Sequence, residues 1–160
     1  MALSCFRSPL LLLLSALAAV SPTAQAATYV DASSYFTRDQ DFEAWYVLRS
    51  GLARNFDDVC GDTFCEGDYS NLQPLRYQCS VNAASGRIGM CIWVFAGSNE
   101  EIDPATGRIR VDAKAWRCRT PLASRTTIEE LLAALQGDEP LRAALPVTNR
   151  SIYDGLGDCL

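Results

Sequence analysis

The sequence predicts an α+β domain: an N-terminal helix, a three-stranded antiparallel meander and short C-terminal helices, stapled by disulfides. Three observations carry this. One long stretch early in the chain repeats apolar residues at helical spacing. Three later stretches read as strands, two alternating with period two and one almost continuously apolar, with turn signals between them. Capping signals then return toward the C-terminus. The 160 residues fit one domain.

Residues 1–26 read as a secretory signal peptide. Arg7 is the positive n-region, Leu10 to Val20 the apolar run, and Ala24-Gln25-Ala26 the small-x-small cleavage signal. The run falls short of the about 20 residues that span a bilayer, so the expectation is cleavage after Ala26 and no membrane span thereafter. Cys5 precedes the apolar run, outside the position of a lipoprotein cysteine. Cleavage removes Arg7 and no acid. Residues 27–160 then hold 13 basic and 19 acidic residues, a formal charge of −6. Lys114 is the only lysine among them, an arginine bias typical of a GC-rich bacterial genome. The expected compartment is the periplasm or the medium.

Residues 27–37 form either irregular chain or a short edge strand. Thr37-Arg38-Asp39-Gln40 has the form of a capping box. Phe42, Trp45, Leu48, Leu52 and Phe56 then recur at helical spacing, which predicts an amphipathic helix over 38–56. Asp57 to Asp68 reads as a loop rich in acids and glycines. Leu75, Tyr77, Cys79 and Val81 alternate with polar residues, as in a half-buried strand, and Ala83-Ala84-Ser85-Gly86 makes a turn. Ile88 to Ala96 is almost continuously apolar, which predicts a strand covered on both faces. Ser98 to Gly107 reads as a polar connection with its turn at Asp103–Gly107. Ile109, Val111 and Ala113 alternate with charges in a third strand ending near Cys118. Thr126-Thr127-Ile128-Glu129 reads as a second capping box, opening a helix that Gly137 ends. Asp138 can cap a short helix that runs to Leu145 and stops at Pro146. Ser151–Asp154 can open a last turn.

Composition excludes much chemistry. The chain contains no histidine. That removes a Ser-His-Asp triad, a Cys-His dyad and a His-ligated zinc. The negative charge argues against nucleic acid, which needs a basic surface. Asn149-Arg150-Ser151 matches a glycosylation sequon, which is a chance match in a bacterial protein.

Six cysteines remain after cleavage: Cys60, Cys65, Cys79, Cys91, Cys118 and Cys159. An even count in an exported chain favours disulfides over thiolate metal sites. Cys79 and Cys91 fall on adjacent strands of one hairpin. Cys60 and Cys65 share a tight loop. Cys118 and Cys159 are then left to close a long loop. An exchange of partners among Cys60, Cys65 and Cys79 is the open alternative. The Cys60–Cys65 spacing is not that of a redox Cys-x-x-Cys pair, and Asp62 and Glu66 nearby would raise a thiol pKa.

Asp57, Asp58, Asp62, Glu66 and Asp68 gather five carboxylates in one stretch. They suit three roles. Calcium needs six to eight oxygen ligands, although the spacing departs from Asp-x-Asp-x-Asp-Gly. A carboxylate hydrolase would pair Glu66 with Asp62 or Asp68. A basic partner protein would be steered by the acids. Against these stands a solvated, disulfide-stapled loop whose acids cap turns. The run Cys60-Gly61-Asp62-Thr63-Phe64-Cys65-Glu66-Gly67-Asp68, followed by Cys79 and Cys91-Ile92-Trp93, resembles a pattern in uncharacterised exported bacterial proteins. The resemblance covers roughly residues 55–95 and implies a shared cysteine framework, with no activity, cofactor or catalytic residue.

Two functional classes follow. The first is a non-catalytic exported binding protein of the inhibitor, immunity or envelope-accessory kind, with a basic exported protein as its partner. The acidic loop, or the Ser98–Asp103 connection with Glu100 and Glu101, would be the element it inserts. The second is a small carboxylate-dependent hydrolase. A serine or cysteine nucleophile would have only Lys114 for a base. The first reading requires no cofactor.

Overall fold

The structure, a computed structural model, describes residues 27–160. The signal peptide with Cys5 and the cleavage site lie outside the described residues, save that Ala27 opens them. The order is β1 (Tyr29–Asp31), α1 (Ala32–Tyr35), α2 (Asp39–Cys60), β2 (Gln73–Asn82), β3 (Ile88–Ile102), β4 (Ile109–Arg119), α3 (Ile128–Ala134) and α4 (Ile152–Gly157). The architecture is α+β, with one antiparallel sheet in the order β1-β2-β3-β4. It has four strands where three were expected. The fourth is the short edge strand at 29–31, paired through Val30 with Val81.

Alternation assigns the two sheet faces. Tyr77, Cys79, Val81, Cys91, Trp93, Phe95 and Cys118 are buried on one face. Helix α2 lays Trp45, Leu48, Leu52 and Phe56 against them, all buried. Trp45 meets Tyr77 at 5.8 Å between ring centroids, and Phe56 meets Phe95 at 4.8 Å. Ile128, Leu131, Ile152 and Leu156 complete the same core. Each such side chain contributes about 1.5–3 kcal/mol on burial.

Several expectations are corrected. Helix α2 runs on to Cys60, so Asp57 and Asp58 belong to its last turn and not to a loop. The reason is the stripe itself: Leu48, Leu52 and Phe56 continue by one more four-residue step to the buried Cys60. The Thr37 capping box does not form. Arg38 is the N-cap without a side-chain cap, and its guanidinium instead pairs with Asp41 at 2.6 and 2.8 Å. Phe42 lies at the margin of the stripe and is half exposed. Leu75 is exposed because the register with β3 shifts between Pro74 and Arg76, leaving Leu75 as the extra, outward residue of a bulge.

Strand β3 is covered on one face only. Met90 is exposed and Ile92 and Val94 are half-buried on the other. Nor does β3 end at Ala96. It pairs with β4 without interruption from Ile92↔Arg119 to Ile102↔Ile109, so the expected polar connection is mostly strand. Only the turn at 103–107 survives. There the Asp103 carboxylate accepts from the Ala105 and Thr106 amides, and Gly107 takes φ +68°.

The capping box of α3 forms one residue later than expected, with Thr127 as cap and Glu130 reaching back. Thr126 donates its hydroxyl to the Ala123 carbonyl instead. No helix forms over 138–145. Buried Asn55 of α2 takes those backbone groups, donating to the Asp138 carbonyl (3.0 Å) and accepting from the Leu141 amide (3.4 Å). The last turn does form, as α4, with a Ser151–Asp154 capping box.

Candidate functional site

Three bridges fix the framework: Cys60–Cys65, Cys79–Cys91 and Cys118–Cys159. The first ties the end of α2 to the loop that follows. The second joins direct cross-strand partners of β2 and β3. The third ties β4 to the chain after α4. These are the pairings that spacing and strand order favour.

The first bridge shapes the acidic segment. Cys65 donates its amide to the Cys60 carbonyl at 2.7 Å, and the Thr63 hydroxyl donates to the Val59 carbonyl at 2.6 Å. Phe64 points inward, its ring stacked on Phe56 (6.0 Å, 7° between planes) and against Tyr153 (5.4 Å). The five acids point outward. Asp57, Asp58, Asp62, Glu66 and Asp68 are all exposed, and among the described residues none is in a salt bridge or a side-chain hydrogen bond. Among the described residues no three His, Cys, Asp or Glu side chains gather as a metal site requires. Asp57 and Asp58 sit in a helix while Asp62, Glu66 and Asp68 sit in the loop, which spreads the acids along the surface.

The end of this loop grips the long β3–β4 hairpin. Asn71 donates to the Ser98 hydroxyl (2.8 Å) and accepts from the Ser98 amide (2.7 Å). The Tyr69 hydroxyl donates to Asp112 at 2.5 Å, and that carboxylate holds the Tyr69 pKa above the ordinary tyrosine value. The Tyr69 ring stands edge-on to Trp116 (5.2 Å), with the Lys114 ammonium over Trp116 at 4.9 Å. Lys114 is thus held by two rings, as a cation in a structural cluster.

Beyond this grip the hairpin carries no core. Its two faces differ. Ile102, Ile109 and Val111 share one face with Glu100 and are 72 %, 64 % and 64 % exposed. Glu101, Arg110, Asn99 and Asp112 share the other. The sequence names Glu100 and Glu101 here and places Ile109 and Val111 on one side of a third strand, without showing that this side is left in water. It missed Tyr69, Asn71 and Asp112 as the brace. The available signal was the period-two alternation running unbroken through Ile109, which marks a strand without saying whether anything packs on it.

Glu66 and its two candidate hydrolytic partners, Asp62 and Asp68, stay on the solvent side of the loop. A separate open pocket of about 490 Å³ is lined by Tyr35, Arg38, Asp41 and Glu129. Burial first, and the neighbouring Glu129 carboxylate second, push the Tyr35 pKa up. Arg38 there is already neutralised by Asp41.

No family model, curated protein or solved structure matches the chain.

Proposed function

We propose that the chain is an exported, non-catalytic binding protein whose partner is a basic protein, with the β3–β4 hairpin as the inserted element. The exported cysteine-framework family it resembles, the signal peptide and the periplasmic or extracellular address belong to the same reading. Three disulfides support the address, and among the described residues no helix is long and apolar enough to cross a membrane. The observation that carries the reading is the hairpin. It leaves the aliphatic trio Ile102, Ile109 and Val111 in water beside Glu100, while the loop that grips its base exposes unpaired carboxylates. Aliphatic anchors rimmed by charge are the anatomy of a protein-binding surface. The acids would steer a cationic partner and the anchors would hold it.

Charge and anchor variants separate the two roles. Neutralising Asp57, Asp58, Asp62, Glu66 and Asp68 together slows association with the cognate basic protein by about tenfold or more at low salt, with little effect at high salt. Replacing Ile102 and Ile109 by serine speeds dissociation instead. Absence of any salt-dependent partner in an envelope extract would overturn the reading.

A further inference from the structure

We infer that the free edge of β4 is a self-pairing seam, where a second copy of this chain adds its own β4 antiparallel about a two-fold axis at Ala113. The inference starts from the main chain. Asp103 donates its amide to the Arg108 carbonyl (2.8 Å), and Thr120 donates its amide to the Cys91 carbonyl (3.0 Å). Both β4-side residues are even-numbered, and the pairing with β3 between them has no bulge. In an antiparallel pair alternate residues bond to one neighbour and the rest face away. Hence the N–H and C=O groups of Ile109, Val111, Ala113 and Ala115 face the open edge. All four residues are exposed. Toward Arg119 the edge is closed: a Cβ placed on Gly155 of α4 would lie 3.2 Å from the Arg119 carbonyl oxygen. The free stretch therefore runs from Ile109 to Arg117, and its middle lies at Ala113.

Side chains then choose the register. Arg110, Asp112, Lys114 and Trp116 lie on the face that carries Cys118. A two-fold axis at Asp112 sets Asp112 against itself and Arg110 against Lys114. An axis at Val111 sets Arg108 against Lys114. An axis at Ala113 sets Asp112 against the partner's Lys114, Lys114 against the partner's Asp112, and Arg110 over the partner's Trp116. On the opposite face Val111 meets Ala115 and Ala113 meets itself, small enough for close approach. Of the registers that use the middle of the free stretch, this one has no like-charge pair. Edge charges ordinarily block pairing. Here their alternating signs block the wrong registers and permit one. The interface is isologous, as closed dimers require. Asp112 keeps its bond from Tyr69, since a carboxylate accepts several hydrogen bonds. Ile109 and Val111 belong to both surfaces, but the seam uses their outward main-chain groups, so the dimer goes beyond the partner-binding reading and does not depend on it.

The test is sedimentation equilibrium of the disulfide-intact protein with no partner added. The expected result is a reversible monomer–dimer equilibrium that weakens as salt rises. Asp112→Lys and Lys114→Asp each weaken the dimer by about tenfold or more, because each places like charges in both symmetric pairs. The double variant D112K/K114D restores it to within a fewfold. Asp112 also serves the Tyr69 brace, so Ala113→Pro supplies an independent arm. It removes an outward N–H without touching the β3 ladder, and it yields a folded monomer by near-ultraviolet circular dichroism. A protein that stays monomeric at every concentration, or a dimer indifferent to A113P and to both charge reversals, would overturn the inference.

Discussion

At the scale of single residues, the sequence pattern identifies which side chains are apolar and misses the ones that organise their neighbours. Asn55 is the clearest case. An asparagine in the middle of a helix reads as a neutral surface residue. Here it is 5 % exposed and holds both the Asp138 carbonyl and the Leu141 amide, more than 80 positions away in sequence. That contact is what replaces the expected helix over 138–145 with turns. Phe42 and Leu75 err the other way. Each fits its period, yet one lies past the edge of the covered stripe and the other is turned out by a bulge. Hydropathy at fixed spacing contains neither fact. Asn55→Ala leaves the buried Leu141 amide and the partly buried Asp138 carbonyl without their side-chain partner and should cost about 1–3 kcal/mol in urea unfolding. A loss below about 0.5 kcal/mol would show that water takes over both groups.

At the scale of elements, the identity of the long helix and of the three main strands was legible, while their extent, helix α1 and the turns over 138–145 were not. The spacing of Trp45, Leu48, Leu52 and Phe56 announces α2. The acidic composition of Asp57–Cys60 hides its last turn, because acids near a helix C-terminus oppose the macrodipole and read as loop. Packing of Cys60 and closure by Cys65 outweigh that. The β3–β4 hairpin was cut short for a related reason. Its outer half pairs through main chain alone, and polar side chains such as Ser98, Asn99 and Glu100 give no hydropathy signal for it. The bridges were legible as a set, since strand order puts Cys79 beside Cys91. Their effects should differ with loop length. Cys118–Cys159 spans 41 positions and Cys60–Cys65 spans 5. Loop-closure entropy then gives about 4 kcal/mol for the first and about 2 kcal/mol for the second. Paired Cys→Ala variants in denaturant titrations check the order. A Cys60/Cys65 variant less stable than the Cys118/Cys159 variant would refute it.

At the scale of the whole molecule, charge type was legible while its arrangement required the fold. Composition gives an acidic chain without histidine. Only the fold shows Asp57 to Asp68 spread outward and the aliphatic tip of the hairpin left in water. The missing histidine carries one consequence that needs no site at all. With no histidine and six cysteines in disulfides, the described chain lacks the side-chain types that ordinarily change charge near neutrality. Stability should therefore be flat from about pH 5.5 to pH 8.5. Below the plateau, Asp31 governs part of the fall. Burial raises its pKa, but hydrogen bonds from the Ser33 hydroxyl and amide and from Gln78, with Arg76 nearby, outweigh that and hold it below its ordinary 3.8. A depressed folded pKa means the stabilisation is complete above that ordinary value and is lost as pH falls through the folded one. Backbone amides depress Asp103 in its turn and Asp154 at its cap in the same sense. Above the plateau the sign reverses. Burial of Tyr77 raises its pKa well above the ordinary 10.0, so its stabilisation is complete below that value and is lost at higher pH, where the unfolded phenol ionises first. Thermal unfolding across pH should show a plateau with two limbs. Asp31→Asn should make the acid limb shallower and leave the alkaline limb unchanged, and Tyr77→Phe should do the reverse. A slope through the neutral range in the parent protein would show instead that a carboxylate is displaced upward by several units in the folded state.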